Sequence, residues 1–206
     1  MADYRETKTS YTEKLSVGIL SKLGIDAKRN NLYDKTAVDL ILESKIKMDV
    51  QYSQNFATWG DFRLDLVSAY TKEPIPASHL PLQILRAFES RFGYRIQKVG
   101  KYFQPGYLDA VIVLFYDHKL DISRPAHYPD YILIVTKKDL ISYIDKNEKS
   151  LIHTVKLNDK NGLGDTHGSA FLPINVHRLQ RQTDCHFGTI EDLKSRSSEI
   201  RSYLGL

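Results

Sequence analysis

Cysteine is almost absent: Cys185 stands alone in 206 residues. One thiol closes no intramolecular disulfide and builds no multi-cysteine zinc site. Long apolar runs are missing as well. None approaches the roughly 18 residues that span a bilayer, and the amino-terminal "MADYRETKTSYTEK" lacks the apolar middle of a secretory signal. A soluble chain in the cytoplasm is therefore expected. No repeat, low-complexity tract or long linker divides the sequence, so residues 1–206 are read as a single domain. Several chemistries also lack their signatures. The seven histidines show no H-x3-H spacing, and no G-x-S-x-G elbow marks a hydrolase nucleophile. "NGLGD" (residues 161–165) has the glycines of a turn without the G-K-[ST] ending of a phosphate loop.

What is present is a mildly basic, aromatic-rich chain. Lys and Arg number 29 against 25 Asp and Glu, a net charge of +4 that permits a polyanionic partner without requiring one. Thirteen Tyr and eight Phe supply core, with some rings able to stack on bases. Tyr11, Leu15, Ile19 and Leu23 recur every four residues, which predicts an amphipathic helix ending at Gly24. Segments 37–42, 46–53 and 62–70 read as strands, with "ATWGD" punctuating the second and third. A helix over 82–92 is closed by Gly93. "YLDAVIVLFYD" and "YPDYILIVT" are unbroken apolar runs, as buried central strands require. "KKDLISYIDKN" then reads as an amphipathic helix. "SAFLPINVHRL" follows as a last strand whose proline belongs at an edge or strand end. Thr189, with Asp192 three residues on, predicts the start of a terminal helix. The expected fold class is α/β, a mixed central sheet flanked by helices.

Two apolar segments carry an aspartate, and a buried carboxylate costs several kcal/mol unless it is paired. In "KIKMDVQYS" strand alternation places Lys47, Asp49, Gln51 and Ser53 on one face and Met48, Val50 and Tyr52 on the other. "DFRLDLVS" repeats the design, with Asp61, Arg63 and Asp65 opposite Phe62, Leu64 and Leu66. A symmetric hairpin about Ala57 would pair Asp49 with Asp65, Gln51 with Arg63 and Ser53 with Asp61. Two facing carboxylates demand a cation between them, or one must keep its proton. Alternatively, the polar face is simply solvated. Asp39, ten positions before Asp49, adds a third acid.

"VDLILESKIKMDVQ" (residues 38–51) resembles the PD-(D/E)XK nuclease superfamily. In that pattern an aspartate at a strand start is followed, after a gap of about ten or more residues, by (D/E)-x-K on the next strand. The leading helix, the following strands and the helix over 82–92 have the order of that restriction-endonuclease-like core, so the resemblance covers residues 11–92. It implies a metal-dependent nuclease hydrolysing phosphodiester bonds in DNA, with Mg²⁺ or Mn²⁺ as cofactor; a homodimer is an admissible assembly. Carried over, Asp39 and Asp49 would be metal ligands, joined by the Val50 carbonyl and, in the hairpin register, by Asp65. Gln51 stands where the family has lysine. Its amide can orient a water but supplies no positive charge, a deficit that Arg63 would fill as a phosphate clamp. Glu13 lies where some members place an extra ligand, although a solvated helix residue is the plainer reading.

Outside the motif, "YRIQKVGKYFQ" interleaves basic and aromatic residues, so Arg95, Lys98 and Lys101 are expected along a phosphate backbone. Arg178 and Arg181 of "HRLQR" are read the same way. The competing expectation is a module that keeps the nuclease-like fold but only binds nucleic acid or protein, which the Gln51 departure would explain.

Overall fold

The most hydrophobic segments take the centre of a sheet, as their composition demands. The computed structural model describes residues 4–30, 38–71, 80, 82–123, 127–159 and 167–206. Helix α1 (Tyr4–Lys22) leads into short strands β1 (Ala27–Arg29) and β2 (Leu40–Leu42) and the longer β3 (Lys47–Gln54). A single turn, α2 (Phe56–Trp59), connects to β4 (Asp61–Thr71), followed by α3 (Gln83–Phe92) and β5 (Arg95–Val99). A 3-10 turn (Lys101–Phe103) precedes β6 (Ala110–Tyr116) and β7 (Tyr131–Thr136). The remainder is α4 (Lys137–Leu151), β8 (Lys156–Asp159), β9 (His167–Asn175), α5 (Val176–Gln180), β10 (His186–Gly188), α6 (Ile190–Ser195) and α7 (Ser197–Leu204).

The strands form two sheets. The first is mixed, in the order β1-β2-β3-β6-β7-β10, with β3 and β6 parallel; the second is antiparallel, β5-β4-β9-β8. All seven residues of β6 are buried because both faces of the first sheet are covered. Val111, Val113 and Phe115 enter a core shared with Phe62, Leu64 and Leu66 of β4 and Leu172 and Ile174 of β9. On the other face, Ile112 and Leu114 meet Ile19, Leu20 and Leu23 of α1 and Leu193 and Ile200 of the terminal helices. Each such fully buried side chain contributes about 1.5–3 kcal/mol relative to exposure. The chain is thus an α/β protein with a mixed sheet, a second sheet and flanking helices.

The expected hairpin between β3 and β4 does not form. β3 pairs with β2 and β6, whereas β4 lies in the second sheet, with Asp65 opposite Phe171 and Arg63 opposite Pro173. The connection explains why. Asn55 and Gly60 bracket α2 in the left-handed region, both with φ of 61°, and this tight turn hands the chain from one sheet to the other. β6, apolar on both faces, takes the edge of β3 that the hairpin would have used. Of the expected proximity there remain the bond from Ser53 Oγ to the Asp61 carbonyl, 3.1 Å, and the shared cleft of Gln51 and Arg63.

Other expectations fare better. Gly93 ends α3 at φ 68°, its N–H bonded to the Glu89 carbonyl. Thr189 and Asp192 form a reciprocal capping box. The terminal helix is broken in two at Arg196, and β10 follows what was read as the last strand. Pro173 of β9 lies beyond Phe171, where pairing with β8 stops among the described residues. The turn at 161–165 and the strand start at Ala37 lie outside the described residues.

Candidate active site

Asp39 and Asp49 come together through the β2–β3 pairing. Leu40 faces Met48 and Ile41 faces Lys47, and one step further along this register sets Asp39 opposite Asp49. Strand alternation sends Met48 and Val50 into the core beneath α1, so Asp49 points to the opposite face, where it is 1% exposed. Asp39 Oδ2 accepts the Val50 N–H at 2.7 Å. Burial raises the Asp39 carboxyl to about 7, and the Asp49 charge adds to the shift while Lys101 and the Val50 amide oppose it.

The partner that Asp49 requires comes from the 3-10 turn. Lys101 Nζ lies 2.5 Å from Asp49 Oδ1, and the Tyr102 hydroxyl donates to Asp49 Oδ2 at 2.6 Å. Gln51 in turn donates its amide N–H to the Tyr102 oxygen. Burial draws the Lys101 pKa down, but the Asp49 charge and hydrogen bond, aided by Asp39, more than offset it and leave the ammonium favoured. Burial and the neighbouring Asp49 hold the Tyr102 phenol well above its ordinary value, so it stays a proton donor to the carboxylate. This turn is seated by a close backbone approach. The Gly100 N–H bonds the Leu66 carbonyl at 3.0 Å, and a Cβ on Gly100 would lie 1.7 Å from the Asp65 carbonyl oxygen.

Asp39, Val50, Gln51, Arg63 and Lys101 line one cleft of about 1010 Å³, which also takes in Trp59, Asp61, Lys156 and Phe171. Arg63 lies in this cleft with its guanidinium 4.8 Å from the Phe171 ring centre, and it is Lys101, not Arg63, that contacts Asp49. Asp65 is not among the lining residues; it accepts a hydrogen bond from Ser68 at 2.6 Å. Glu13 is neither solvated nor in the cleft lining, because Arg29 of β1 holds it through Nε at 2.9 Å and Nη2 at 2.6 Å.

The remaining basic residues scatter. Arg95 pairs with Glu89 at 3.1 Å, and Arg178 donates to Asn147 at 2.8 Å. Lys98 and Arg181 are exposed and stand outside the cleft lining. A second cavity, about 680 Å³, is lined by Cys185, His186, Arg196 and Tyr203 and contains none of these groups. Burial pushes the Cys185 thiol up and the His186 imidazole down, which leaves little thiolate for nucleophilic chemistry.

Among the described residues no group of three or more His, Cys, Asp or Glu side chains is placed to hold a metal ion. An ion at this site would rest on the two carboxylates alone. Mg²⁺ takes one or two carboxylates and completes its shell with waters and phosphate oxygens; of the two here Asp39 lines the cleft, whereas both Asp49 oxygens are held by Lys101 and Tyr102, so an ion reaching Asp49 would have to displace the ammonium. Two carboxylates here face one ammonium, and burial, with the Asp49 charge adding to it, keeps Asp39 raised. Reading the sequence missed Lys101 as the Asp49 partner, along with Tyr102, Trp59, Lys156 and Phe171. No family model, curated protein or solved structure matches the chain. Among the described residues no helix is long and apolar enough to cross a membrane.

Proposed function

We propose that the chain is a metal-dependent nuclease that hydrolyses phosphodiester bonds in DNA, built on a restriction-endonuclease-like core of the PD-(D/E)XK type. The observation that carries this reading is the lysine on the carboxylate pair: Lys101 reaches Asp49 from outside the motif. The charge that Gln51 does not supply is therefore present at the site.

Asp39 and Asp49 would hold Mg²⁺ or Mn²⁺, and such an ion polarises a phosphodiester and lowers the pKa of a bound water. The chain's own groups do the rest. Lys101 places an ammonium beside the carboxylates, where it can stabilise charge developing on a phosphoryl oxygen. Gln51 presents an amide that can orient a water. Tyr102 fixes both Asp49 and Gln51 by its hydroxyl. Arg63 and Lys156, which line the same cleft, would take backbone phosphates.

A second reading is favoured by the same contact. Lys101 already neutralises Asp49, and on this reading the ammonium is a permanent substitute for the ion, leaving a non-catalytic nucleic-acid-binding module. The assay is cleavage of single- and double-stranded DNA and RNA in Mg²⁺ or Mn²⁺, with binding measured in Ca²⁺. Asp49→Asn is expected to abolish cleavage and keep DNA affinity within a few-fold. Cleavage that survives this substitution rules out the mechanism, and binding without cleavage in every metal selects the module.

A further inference from the structure

Trp59 is the sole tryptophan of the chain and is 68% exposed. Its mount is rigid. The backbone N–H groups of Thr58 and Trp59 both reach the Asn55 carbonyl, at 3.0 and 3.2 Å, and the Gly60 N–H bonds the Phe56 carbonyl at 2.8 Å. Phe56 anchors the turn from below, its ring 4.3 Å from that of Phe115 and 5.7 Å from those of Tyr131 and Phe187. A large indole is thus presented to solvent from a hydrogen-bonded turn, at the wall of the cleft that leads to Asp39.

Its neighbours in that cleft are chemically matched to a strand of nucleic acid. Arg63 lies over the Phe171 ring, and Lys156 faces Phe171 across the β8–β9 pair. Arg63, Lys101 and Lys156 stand against the acidic Asp39 and Asp61. Aromatic rings beside cations that track a backbone are the elements of single-strand binding, because an unpaired base offers an open face for stacking. In a duplex those faces are already covered by neighbouring bases.

Resting on the nuclease reading, we infer that the cleft takes an unpaired DNA strand, with one base stacked on Trp59 and the backbone passing over Arg63 and Lys156 toward Asp39. Trp59 reports this directly through its own fluorescence. The test titrates the native protein in Ca²⁺ with a single-stranded DNA of about 12 nucleotides and with a blunt duplex of the same sequence. The single strand is expected to quench Trp59 and the duplex to leave its emission unchanged. By anisotropy of a labelled strand, Trp59→Ala should weaken single-strand binding about tenfold, and Trp59→Phe should restore most of the loss.

Single-strand binding with unchanged emission, a Trp59→Ala affinity within twofold of native, or tighter binding of the duplex would each overturn the inference. Tighter binding of an RNA strand would overturn the choice of DNA. The two proposals fail separately. Quenching without cleavage in any metal removes the nuclease reading only, and cleavage without quenching removes the stacked strand only. Failure to bind any of these nucleic acids removes both.

Discussion

Two buried carboxylates in this protein, Glu13 and Asp49, each face one cation, yet they are built for different ends. Glu13 is met by an arginine fork: Nε and Nη2 of Arg29 converge on one oxygen, and Ser10 accepts a further bond from the guanidinium. One negative charge meets one positive charge, and the pair is closed. Asp49 is met by the point charge of Lys101 and by a phenol, but Asp39 stands beside it. Two acids share one ammonium at the edge of a cleft. The difference is one of stoichiometry: the first pair is complete as it stands, while the second is short of positive charge and is relieved by a proton or a further cation.

The largest expected contrast is in turnover. If the site is a nuclease, Lys101→Ala should lower kcat by about 10²–10³-fold, the usual loss on removing a group that stabilises developing charge. Arg29→Ala should leave kcat within twofold, measured under conditions where both variants are folded. Equal losses in the two variants would erase the distinction between the pairs. In stability the two pairs differ in what restores them. Arg29→Ala strands the buried Glu13 carboxylate and should cost about 3 kcal/mol in denaturant unfolding. Lys101→Ala strands the more deeply buried Asp49 and should cost about as much, but here saturating Mg²⁺ should recover part of the lost Tm, because the ion replaces the missing charge.

A smaller effect follows from Asp39. In the folded chain this carboxyl keeps its proton to about pH 7, whereas an unfolded aspartate releases it near pH 4, at about 3.9. The folded state therefore binds more protons across that window, and the metal-free protein should lose stability as the pH rises through it. Metal binding requires the ionised form, so the Mg²⁺-induced rise in Tm should be greater at pH 8 than at pH 6. Asp39→Asn should flatten both trends. The smallest change expected is for Tyr102→Phe. It deletes the hydroxyl that links Gln51 to Asp49 and should cost about 1–2 kcal/mol of stability, with turnover reduced more than DNA affinity.

The carboxylate pair was legible in the sequence because strand period and spacing act over short range. Asp39 and Asp49 are joined by adjacent strands, and one register of backbone pairing suffices to bring them together. The buried faces of Phe62, Leu64 and Leu66 and the caps at Gly93 and Thr189 were legible for the same reason. What covers a face was not. Alternation states that Phe62 is buried but not that Phe115 lies against it, and the preference of β3 for β6 over β4 depends on a strand far along the chain. Lys101 shows the same limit in the site itself. In "YRIQKVGKYFQ" a lysine that binds phosphate and a lysine that neutralises a buried aspartate look alike, because the distinction lies in where a 3-10 turn points a flexible side chain. Trp59 was passed over as part of a turn, since exposure is set by the packing of Phe56 beneath it.

Gly100 carries the consequence furthest from the charged groups. The segment bearing Lys101 and Tyr102 lies flush against β4 because no side chain intervenes, with the Asp65 carbonyl where a methyl group would sit. A single inherited change from glycine to any other residue would lift the lysine and the phenol off Asp49 together, while every acid and base remained in the sequence. The position with nothing to ionise, donate or stack is thus among the least forgiving to mutational drift, and a descendant of this chain could lose its site while keeping each residue that seems to define it.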